Sequence, residues 1–171
     1  MSVPPLVLIG LGSNLPGPQK SSVAVVVDAL RSLRTFAGDR FVASSLYRTS
    51  PVDCPAQSNE FINAAAAFIP RAGLTAQILL GELKSLERVF GRGAVAIRNA
   101  PRVLDLDVLA FGDLVLDTPE FILPHPRATQ RGFVMIPLNE IVPEFVWPPA
   151  ALTVAELCAN LVTDEHVARI V

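Results

Sequence analysis

The amino-acid sequence predicts an α+β domain with a ferredoxin-like core, and three observations support this fold class. The spacing of apolar residues gives the element order β-α-β-β-α-β over residues 5–111. The length of 171 residues suits one domain, so residues 1–171 are expected to form a single unit. Apolar residues make up 51% of the chain and charged residues 18%, which excludes an intrinsically disordered protein. We therefore expect one antiparallel sheet with helices packed on a face, followed by a C-terminal extension.

The first half of the chain contains three predicted strands and one predicted helix. Residues 5–14 form a buried apolar run that ends in a Gly-Ser-Asn turn. Apolar residues at helical spacing predict a helix over residues 18–36. Residues 40–49 and 60–69 are typical of strands, although the alanine run in the second also suits a helix by propensity alone.

The second half begins with the clearest helical pattern in the chain. Residues 74–90 place a row of leucines on one face, and Gly91 ends the pattern. An irregular loop then leads into a predicted strand at residues 102–111. Beyond it, short apolar segments alternate with prolines as far as a predicted short helix at residues 153–161. We expect these last residues to extend the sheet and cover its edges.

Composition and charge exclude several classes of protein. Lys and Arg number 14 against 16 Asp and Glu, and the net charge of −2 does not favour a nucleic-acid partner. The longest apolar runs fall far short of the roughly 20 residues that span a bilayer. The start of the sequence predicts no secretory leader, so Cys54 and Cys158 are expected to be reduced thiols of a cytoplasmic protein. A monomer is the expected state.

Two aspartates interrupt the apolar strand at residues 102–111. Asp105 and Asp107 are two positions apart, so their side chains point to the same face with Cα atoms roughly 6.5–7 Å apart. Carboxylates this close repel each other unless a cation lies between them. Oxygen ligands favour Mg²⁺ or Mn²⁺, and a pair of such ions can clamp a phosphate. The spacing alone leaves open a solvated acidic face on an amphipathic strand.

Cations cluster just before this aspartate pair and favour the metal interpretation. Residues 84–102 contain Lys84, Arg88, Arg92, Arg98 and Arg102 in a chain that is acidic overall. Arginine donors match phosphate oxygens, which suggests phosphoryl-type transfer on a nucleotide. A glycine-rich phosphate loop is excluded, because the GxGxxG pattern fails at its third position and no GK[ST] occurs.

Three further residues could recognise a ligand. His125 lies between prolines, which position it better than most loop histidines, although such a histidine is more often structural. Phe61 and Asn63 share one face of a predicted strand and offer a stacking plane with a paired donor and acceptor. That combination suits a flat heterocycle with amide-like edges, while an ordinary strand remains the simpler interpretation.

Several segments together resemble one family, the 6-hydroxymethyl-7,8-dihydropterin pyrophosphokinases of folate biosynthesis. The matching segments occur in family order and cover most of the chain: GLGSNL at 10–15, SSLYRTSP at 44–51, QSNEFINA at 57–64, LKSLERVFGR at 83–92, APRVLDLDVLAFG at 100–112 and LPHPRATQRGFVMIPLNEIVPE at 123–144. The resemblance implies transfer of the β,γ-pyrophosphoryl group of ATP to the hydroxymethyl oxygen of the pterin, with release of AMP.

The resemblance also implies roles for individual residues. Asp105 and Asp107 match the ligands of two magnesium ions, and Arg92 and Arg102 match arginines that stabilise the transferring phosphates. The implied ATP-binding residues are Lys84, Glu87, Arg98, Val108, His125 and Arg131. The implied pterin-binding residues are Thr49, Ser50, Val52, Phe61, Asn63 and Phe133, with the two phenylalanines on either side of the ring.

Two rival functions use some of the same features. A two-metal phosphohydrolase would use the same aspartates with water as the nucleophile. A non-catalytic ferredoxin-like module would bind a small ligand, but it has no need for paired aspartates beside an arginine-rich loop.

Overall fold

The computed structural model describes residues 4–17, 19–51, 59–91 and 102–170. The strands are β1 (Val7–Ser13), β2 (Ala37–Ala43), β3 (Leu46–Thr49), β4 (Phe61–Pro70), β5 (Asp105–Phe111), β6 (Leu116–Asp117), β7 (Ile122–Leu123), β8 (Val146–Trp147), β9 (Leu152–Thr153) and β10 (Val167–Ile170). The α-helices are α1 (Ser22–Leu33), α2 (Ala76–Val89), α3 (Gly132–Ile141) and α4 (Val154–Ala159). No helix in these ranges combines the length and the apolarity needed to cross a membrane.

A six-stranded antiparallel sheet forms the centre of the fold. Its strand order is β10-β3-β4-β1-β5, and β2 also pairs with β4. The central strand β1 pairs antiparallel with β4 on one side and with β5 on the other. This arrangement confirms the predicted ferredoxin-like topology, and β10 confirms that the end of the chain extends the sheet.

Helices cover both faces of the sheet. Residues of α1 and α2 pack on one face against Val7, Ile9 and Leu11 of β1, as predicted. Residues of α3 and α4 pack on the other face against Leu8, which the sequence analysis did not predict. Alternate residues of β1 therefore enter two different cores, which explains why this strand is apolar without interruption.

Helix α3 is the largest element that the sequence analysis missed. It starts at Gly132, contains Pro137 and is apolar on almost every side, so helical periodicity is weak. Burial against the sheet stabilises it, because Met135 and Leu138 are fully buried.

Helix α1 differs less from its prediction. It starts at Ser22, with Ser21 as its N-cap, and not near residue 18.

The strand predicted at residues 40–49 is broken by a β-bulge into β2 and β3. Ala43 pairs with Ala66, but Tyr47 pairs with Asn63, so the stretch from Ala43 to Tyr47 contains one extra residue relative to β4. The hydroxyl Oγ of Ser44 accepts a hydrogen bond from the Ala65 backbone N at 2.9 Å within the bulge. A one-residue shift moves side chains to the opposite face. The bulge therefore turns Tyr47 and Thr49 toward the α3 side of the sheet, while Arg48 between them pairs with Ile62 of the opposite core.

Glu140 on α3 joins the helix to this end of the sheet. Its carboxylate accepts hydrogen bonds from the backbone N and the Oγ of Ser45, at 2.9 and 2.7 Å, and from the Tyr47 hydroxyl at 2.8 Å. Arg169 on β10 pairs with the same carboxylate at 3.4 Å. Burial raises the pKa of Glu140, but the hydrogen bonds from Ser45 and Tyr47 and the charge of Arg169 outweigh burial and hold the pKa below its ordinary value of 4.5.

The lowered pKa of Glu140 predicts a pH-dependent contribution to stability. That contribution is complete above the pKa of an unfolded glutamate and is lost as the pH falls through the lower folded pKa. We expect Glu140→Gln to lower the free energy of unfolding by roughly 0.5–1 kcal/mol at neutral pH, because solvent screens the charge of this exposed residue. The difference should shrink as the pH falls below 4.5.

Urea unfolding of both proteins across this pH range measures the effect. Glu144→Gln, at an exposed carboxylate just after the same helix, is the control. A destabilisation that stays constant with pH would show that the ionisation of Glu140 contributes nothing.

Candidate active site

A cleft of about 360 Å³ opens on the α3 side of the sheet, where β1, β3, β4 and β5 meet the start of α3. The predicted site residues that line it are Thr49, Ser50, Phe61, Asn63, Lys84, Glu87, Arg102, Asp105, Asp107, His125, Arg131 and Phe133. Residues that are far apart in the sequence thus converge on one cavity.

Some predicted site residues do not lie in the cleft or cannot be placed. Val108 was predicted to bind ATP, but its side chain is buried in the core under α1 and α2. The physical reason is strand alternation, which sends Val108 to the face opposite Asp105 and Asp107. Val52, Arg92 and Arg98 lie outside the residues that the structure describes, as does Cys54, whereas Cys158 is a free thiol.

Two glycines of β1 form the floor of the cleft. Gly10 pairs with Asp107 and Gly12 pairs with Asp105 on one side, while Gly12 pairs with Asn63 on the other. A Cβ atom at Gly12 would lie 2.8 Å from Oδ1 of Asn63, closer than such atoms approach. The glycines that the sequence analysis tested as a phosphate loop therefore leave room between the aspartates and Asn63.

The aspartate pair lies on β5 with its carboxylates on the cleft side. Leu104 and Leu106 face the opposite core and are 0% and 5% exposed, as the alternation predicted. Burial, followed by the charges of Asp105 and Glu87, raises the pKa of Asp107 to about 7, although Arg131 and Arg102 act in the opposite direction. Concentrated negative charge at this point of the cleft favours a bound cation.

Glu87 is the third carboxylate near the pair and also has a structural partner. It is 2% exposed on α2, and its Oε1 accepts a hydrogen bond from the backbone N of Leu106 at 2.8 Å. The bond ties α2 to β5 between the two aspartates. Glu87 therefore helps to fix the strand that presents them.

Hydrogen bonds hold both the backbone and the side chain of Arg102. Its Nη1 donates a hydrogen bond to Oδ1 of Asp105 at 2.8 Å. Its backbone N donates to Oδ1 of Asn14 at 2.8 Å, and its carbonyl oxygen accepts from the backbone N of Asn14 and of Leu15, both at 3.2 Å. Burial lowers the pKa of Arg102, but the charges of Asp105, Asp107 and Glu87 raise it by more, so the guanidinium stays protonated.

Asn14 is a site residue that the sequence analysis did not assign. It is 3% exposed and follows β1, where its side chain connects the end of that strand to Arg102. The Gly-Ser-Asn turn after the strand was the available signal, but its partner 88 residues away was not visible in the sequence.

The opposite end of the cleft combines a buried amide with aromatic rings. Nδ2 of Asn63 donates a hydrogen bond to Oγ1 of Thr49 at 2.6 Å, and both residues are almost fully buried. Thr49 pairs with Phe61 across β3 and β4. Phe133 lines the cleft from the start of α3, and the guanidinium carbon of Arg131 lies 5.3 Å from the centre of its ring.

Basic groups surround the rest of the cleft. Burial, followed by the charges of Arg131 and Arg127, lowers the pKa of His125 from 6.5, so its ring is neutral at pH 7. Nδ1 of His125 accepts a hydrogen bond from the backbone N of Arg127 at 3.3 Å, which leaves the ring proton on Nε2 as a donor. Arg127 also lines the cleft, although the sequence analysis assigned it no role. The arrangement suits a negatively charged ligand at the aspartate end and a flat polar ring at the Asn63 end.

The chain is similar to a family of known proteins. Residues 8–143 match the family model of 7,8-dihydro-6-hydroxymethylpterin-pyrophosphokinase. The chain is 36% identical over 143 residues to the 2-amino-4-hydroxy-6-hydroxymethyldihydropteridine pyrophosphokinase of Pseudomonas aeruginosa, with 83% of each chain covered. It is 32% identical over 150 residues to the protein of the same name from Synechocystis, covering 88% of this chain and 73% of that one.

Longer proteins also contain a similar region. The chain is 32% identical to the folic acid synthesis protein fol1 of Pneumocystis carinii over 93% of its own length but only 20% of that protein. Among solved structures, wild-type HPPK-DHPS of Plasmodium falciparum with pteroate gives a TM-score of 0.68 at 13% identity. The alignment covers 93% of this chain and 44% of that one, and the likeness at this identity shows the fold alone.

Proposed function

Since the chain belongs to the 7,8-dihydro-6-hydroxymethylpterin-pyrophosphokinase family, we propose that its cleft transfers the pyrophosphoryl group of ATP to the hydroxymethyl oxygen of 6-hydroxymethyl-7,8-dihydropterin. The enzyme is a pyrophosphokinase of folate synthesis. One observation supports the assignment of the site most strongly. The aspartate pair beside Arg102 shares a single cleft with Asn63 and Phe61, so groups suited to phosphates and to a flat ring lie together.

The two carboxylates fit a magnesium site that ATP would complete. Asp105 and Asp107 offer oxygen ligands, and the pKa of Asp107 is raised by burial and then by repulsion from Asp105 and Glu87, which a bound cation would relieve. Within the described ranges no group of three or more Asp, Glu, His or Cys could hold a metal ion. Phosphate oxygens and water would therefore supply the other ligands of the two ions that we propose. When bound, magnesium neutralises and orients the phosphates.

The protein's own cations would act on the phosphates of ATP. The transfer forms a bond from the hydroxymethyl oxygen to the β-phosphorus and breaks the bond from that phosphorus to the oxygen that leaves with AMP. The hydroxymethyl proton is released to solvent. Negative charge grows on the leaving oxygen, and a preorganised arginine stabilises it without reorganisation. Arg102 is the described residue with that preorganisation, and we propose that Arg92 assists it.

The remaining polar residues would bind the two substrates. At the ATP end we propose Lys84, Glu87, Arg98, His125 and Arg131 as nucleotide-binding residues. At the other end, we propose that Thr49, Ser50, Val52 and Asn63 read the edge of the pterin and that Phe61 and Phe133 enclose its ring. The bond from Asn63 to Thr49 fixes the orientation of the amide before the pterin arrives.

We further propose that the enzyme acts as a cytoplasmic monomer without a nucleic-acid partner. The described residues proposed for both substrates converge on one cleft of a single chain, which supports a monomer. The net charge of −2 supports the absence of a nucleic-acid partner. Light scattering of the purified protein at working concentration tests the monomer directly.

Asn63→Ala is expected to weaken pterin binding selectively. It removes donor and acceptor atoms from a buried edge, a loss of roughly 1–3 kcal/mol for each unsatisfied group, or about tenfold to a hundredfold in affinity. The affinity for ATP in the absence of pterin should stay nearly unchanged. Titration calorimetry with each ligand measures both affinities, with Asn160→Ala, at an exposed residue just after α4, as the control. Equal losses for both ligands would show that Asn63 supports the fold instead.

One assay separates the proposed transferase from its two rivals. The protein is incubated with ATP and Mg²⁺, with and without 6-hydroxymethyl-7,8-dihydropterin, and the nucleotides are quantified. A pyrophosphokinase makes AMP only when the pterin is present. A phosphohydrolase consumes ATP in either case, and a binding module consumes none.

A further inference from the structure

The segment between α4 and β10 passes along the pterin end of the cleft and contacts the start of α3. Oε2 of Glu165 accepts a hydrogen bond from the backbone N of Phe133 at 2.9 Å. Gly132 permits this approach, because a Cβ atom there would lie 2.9 Å from the same Oε2 and 3.3 Å from Cγ2 of Thr163. The close contact therefore depends on a glycine immediately before Phe133.

Glu165 supplies a cap that α3 lacks locally. Arg131 occupies the N-cap position, and its side chain makes no capping hydrogen bond. The first backbone N–H groups of a helix need acceptors, and a negative charge at that end is favourable. A carboxylate 32 residues later in the chain meets both needs and fixes the backbone that bears the Phe133 ring.

His166, the next residue of the segment, bonds to Ser50 on the side of the proposed pterin pocket that faces Phe133. The backbone N of Ser50 donates a hydrogen bond to the carbonyl oxygen of His166 at 3.0 Å, and the backbone N of His166 donates to Oγ of Ser50 at 3.1 Å. Val167 then pairs with Thr49 as β10 begins. Two consecutive residues thus contact backbone on both sides of the proposed pterin pocket, from a segment beyond the 8–143 range of the family match.

We propose that Glu165 is a positioning residue for the pterin pocket. Glu165 acts through Phe133 and sets the distance between Phe133 and the wall formed by Thr49 and Ser50. The inference rests on the proposed function, since the pterin is the ligand that this pocket would hold. Glu165 does not line the cleft itself, so its effect on the substrate is indirect. It is a partly buried side chain whose carboxylate also packs against Gly132.

The test compares Glu165→Ala, Glu165→Gln and the exposed neighbour Asp164→Ala by titration calorimetry. Each protein is titrated with 6-hydroxymethyl-7,8-dihydropterin in the presence of saturating α,β-methylene-ATP, and separately with α,β-methylene-ATP alone. We expect Glu165→Ala to weaken pterin binding about tenfold. Gln keeps a neutral acceptor for the Phe133 N–H, so Glu165→Gln should lower the affinity for the pterin only about threefold. Nucleotide affinity should change less than twofold in all three, and Asp164→Ala should match wild type.

A double-mutant cycle with Phe133→Ala tests the route of the effect. If Glu165 acts through Phe133, its replacement should cost much less pterin affinity in the Phe133→Ala background than in wild type. Independent, multiplicative losses would overturn the proposal, as would equal losses of pterin and nucleotide affinity.

Wild-type binding distinguishes failure of this inference from failure of the proposed function. A wild-type protein that binds no pterin contradicts the function. A wild-type protein that binds pterin, with Glu165→Ala within twofold of it, contradicts only the positioning role. If Glu165→Ala does not fold, Glu165→Gln decides, and the absence of a selective pterin defect in that variant overturns the role.

Discussion

Replacing Asp105 or Asp107 by Ala is expected to reduce turnover by roughly 1000-fold or more, equivalent to about 4 kcal/mol of transition-state stabilisation. Both carboxylates face the cleft, next to Arg102 and across β1 from Asn63. If they hold the magnesium ions that orient the phosphates, the third carboxylate of the described cleft, Glu87, cannot replace either of them, because it is bonded to the backbone N of Leu106. Each variant should therefore lower kcat and not merely the affinity for ATP.

The fold should survive these substitutions. Burial and neighbouring negative charge raise the pKa of Asp107 to about 7, so its ionised form is disfavoured in the folded metal-free protein. Because a raised folded pKa costs stability above the unfolded pKa, Asp107→Asn should not lower the unfolding free energy at pH 8 without magnesium. Urea unfolding and steady-state kinetics are measured together, with Asp113→Ala, an exposed carboxylate just after β5, as the control. Retention of more than about a tenth of wild-type kcat, a loss under ~1.4 kcal/mol, would exclude the metal-ligand role.

Arg102→Ala is expected to lower kcat by at least about 100-fold, roughly 2.7 kcal/mol, while ATP affinity changes far less. The guanidinium is held by Asp105 and its backbone by Asn14, so it is placed before the substrates bind. Charge on the leaving oxygen grows only during transfer, so a preorganised cation acts mainly in the transition state. Arg102→Lys should restore only part of the rate, because a single ammonium cannot reproduce a two-pronged donor.

Single-turnover rates and equilibrium ATP affinities distinguish an Arg102 that stabilises the transition state from one that only binds ATP. The exposed Arg71→Ala controls for loss of a surface cation. We also expect Arg102→Ala to be more damaging than Arg92→Ala, because Arg102 lies three residues before β5 and is bonded to Asp105 at the start of that strand. If rate and affinity fall in equal proportion, Arg102 merely holds ATP.

The sequence predicts those parts of the fold whose signal is local. β1, β4, β5, α1 and α2 follow from apolar periodicity, and the aspartate pair follows from alternation along a single strand. Helix α3 escaped prediction because it is buried on most sides and contains Pro137, which removes the periodic pattern. The bulge at Ser44 depends on pairing with β4, so residues 40–49 alone appear as one strand.

The partners of the site residues were harder to predict than the residues themselves. Glu87 bonds to Leu106 across 19 positions, and Asn14 bonds to Arg102 across 88. Such contacts depend on which elements become neighbours, and no spacing within one segment encodes them. Val108 is a different case. The resemblance implies a role at the ATP site, whereas alternation along its own strand directs its side chain into the opposite core.

The fate of the β-phosphorus of ATP shows whether a pyrophosphoryl group is transferred to the pterin. ATP labelled with ³²P at the β position is incubated with enzyme, Mg²⁺ and 6-hydroxymethyl-7,8-dihydropterin, and the products are separated. Pyrophosphoryl transfer moves the label to a pterin diphosphate, with one unlabelled AMP formed for each. Label that remains in ADP, or that appears in inorganic pyrophosphate without entering the pterin, would contradict pyrophosphoryl transfer.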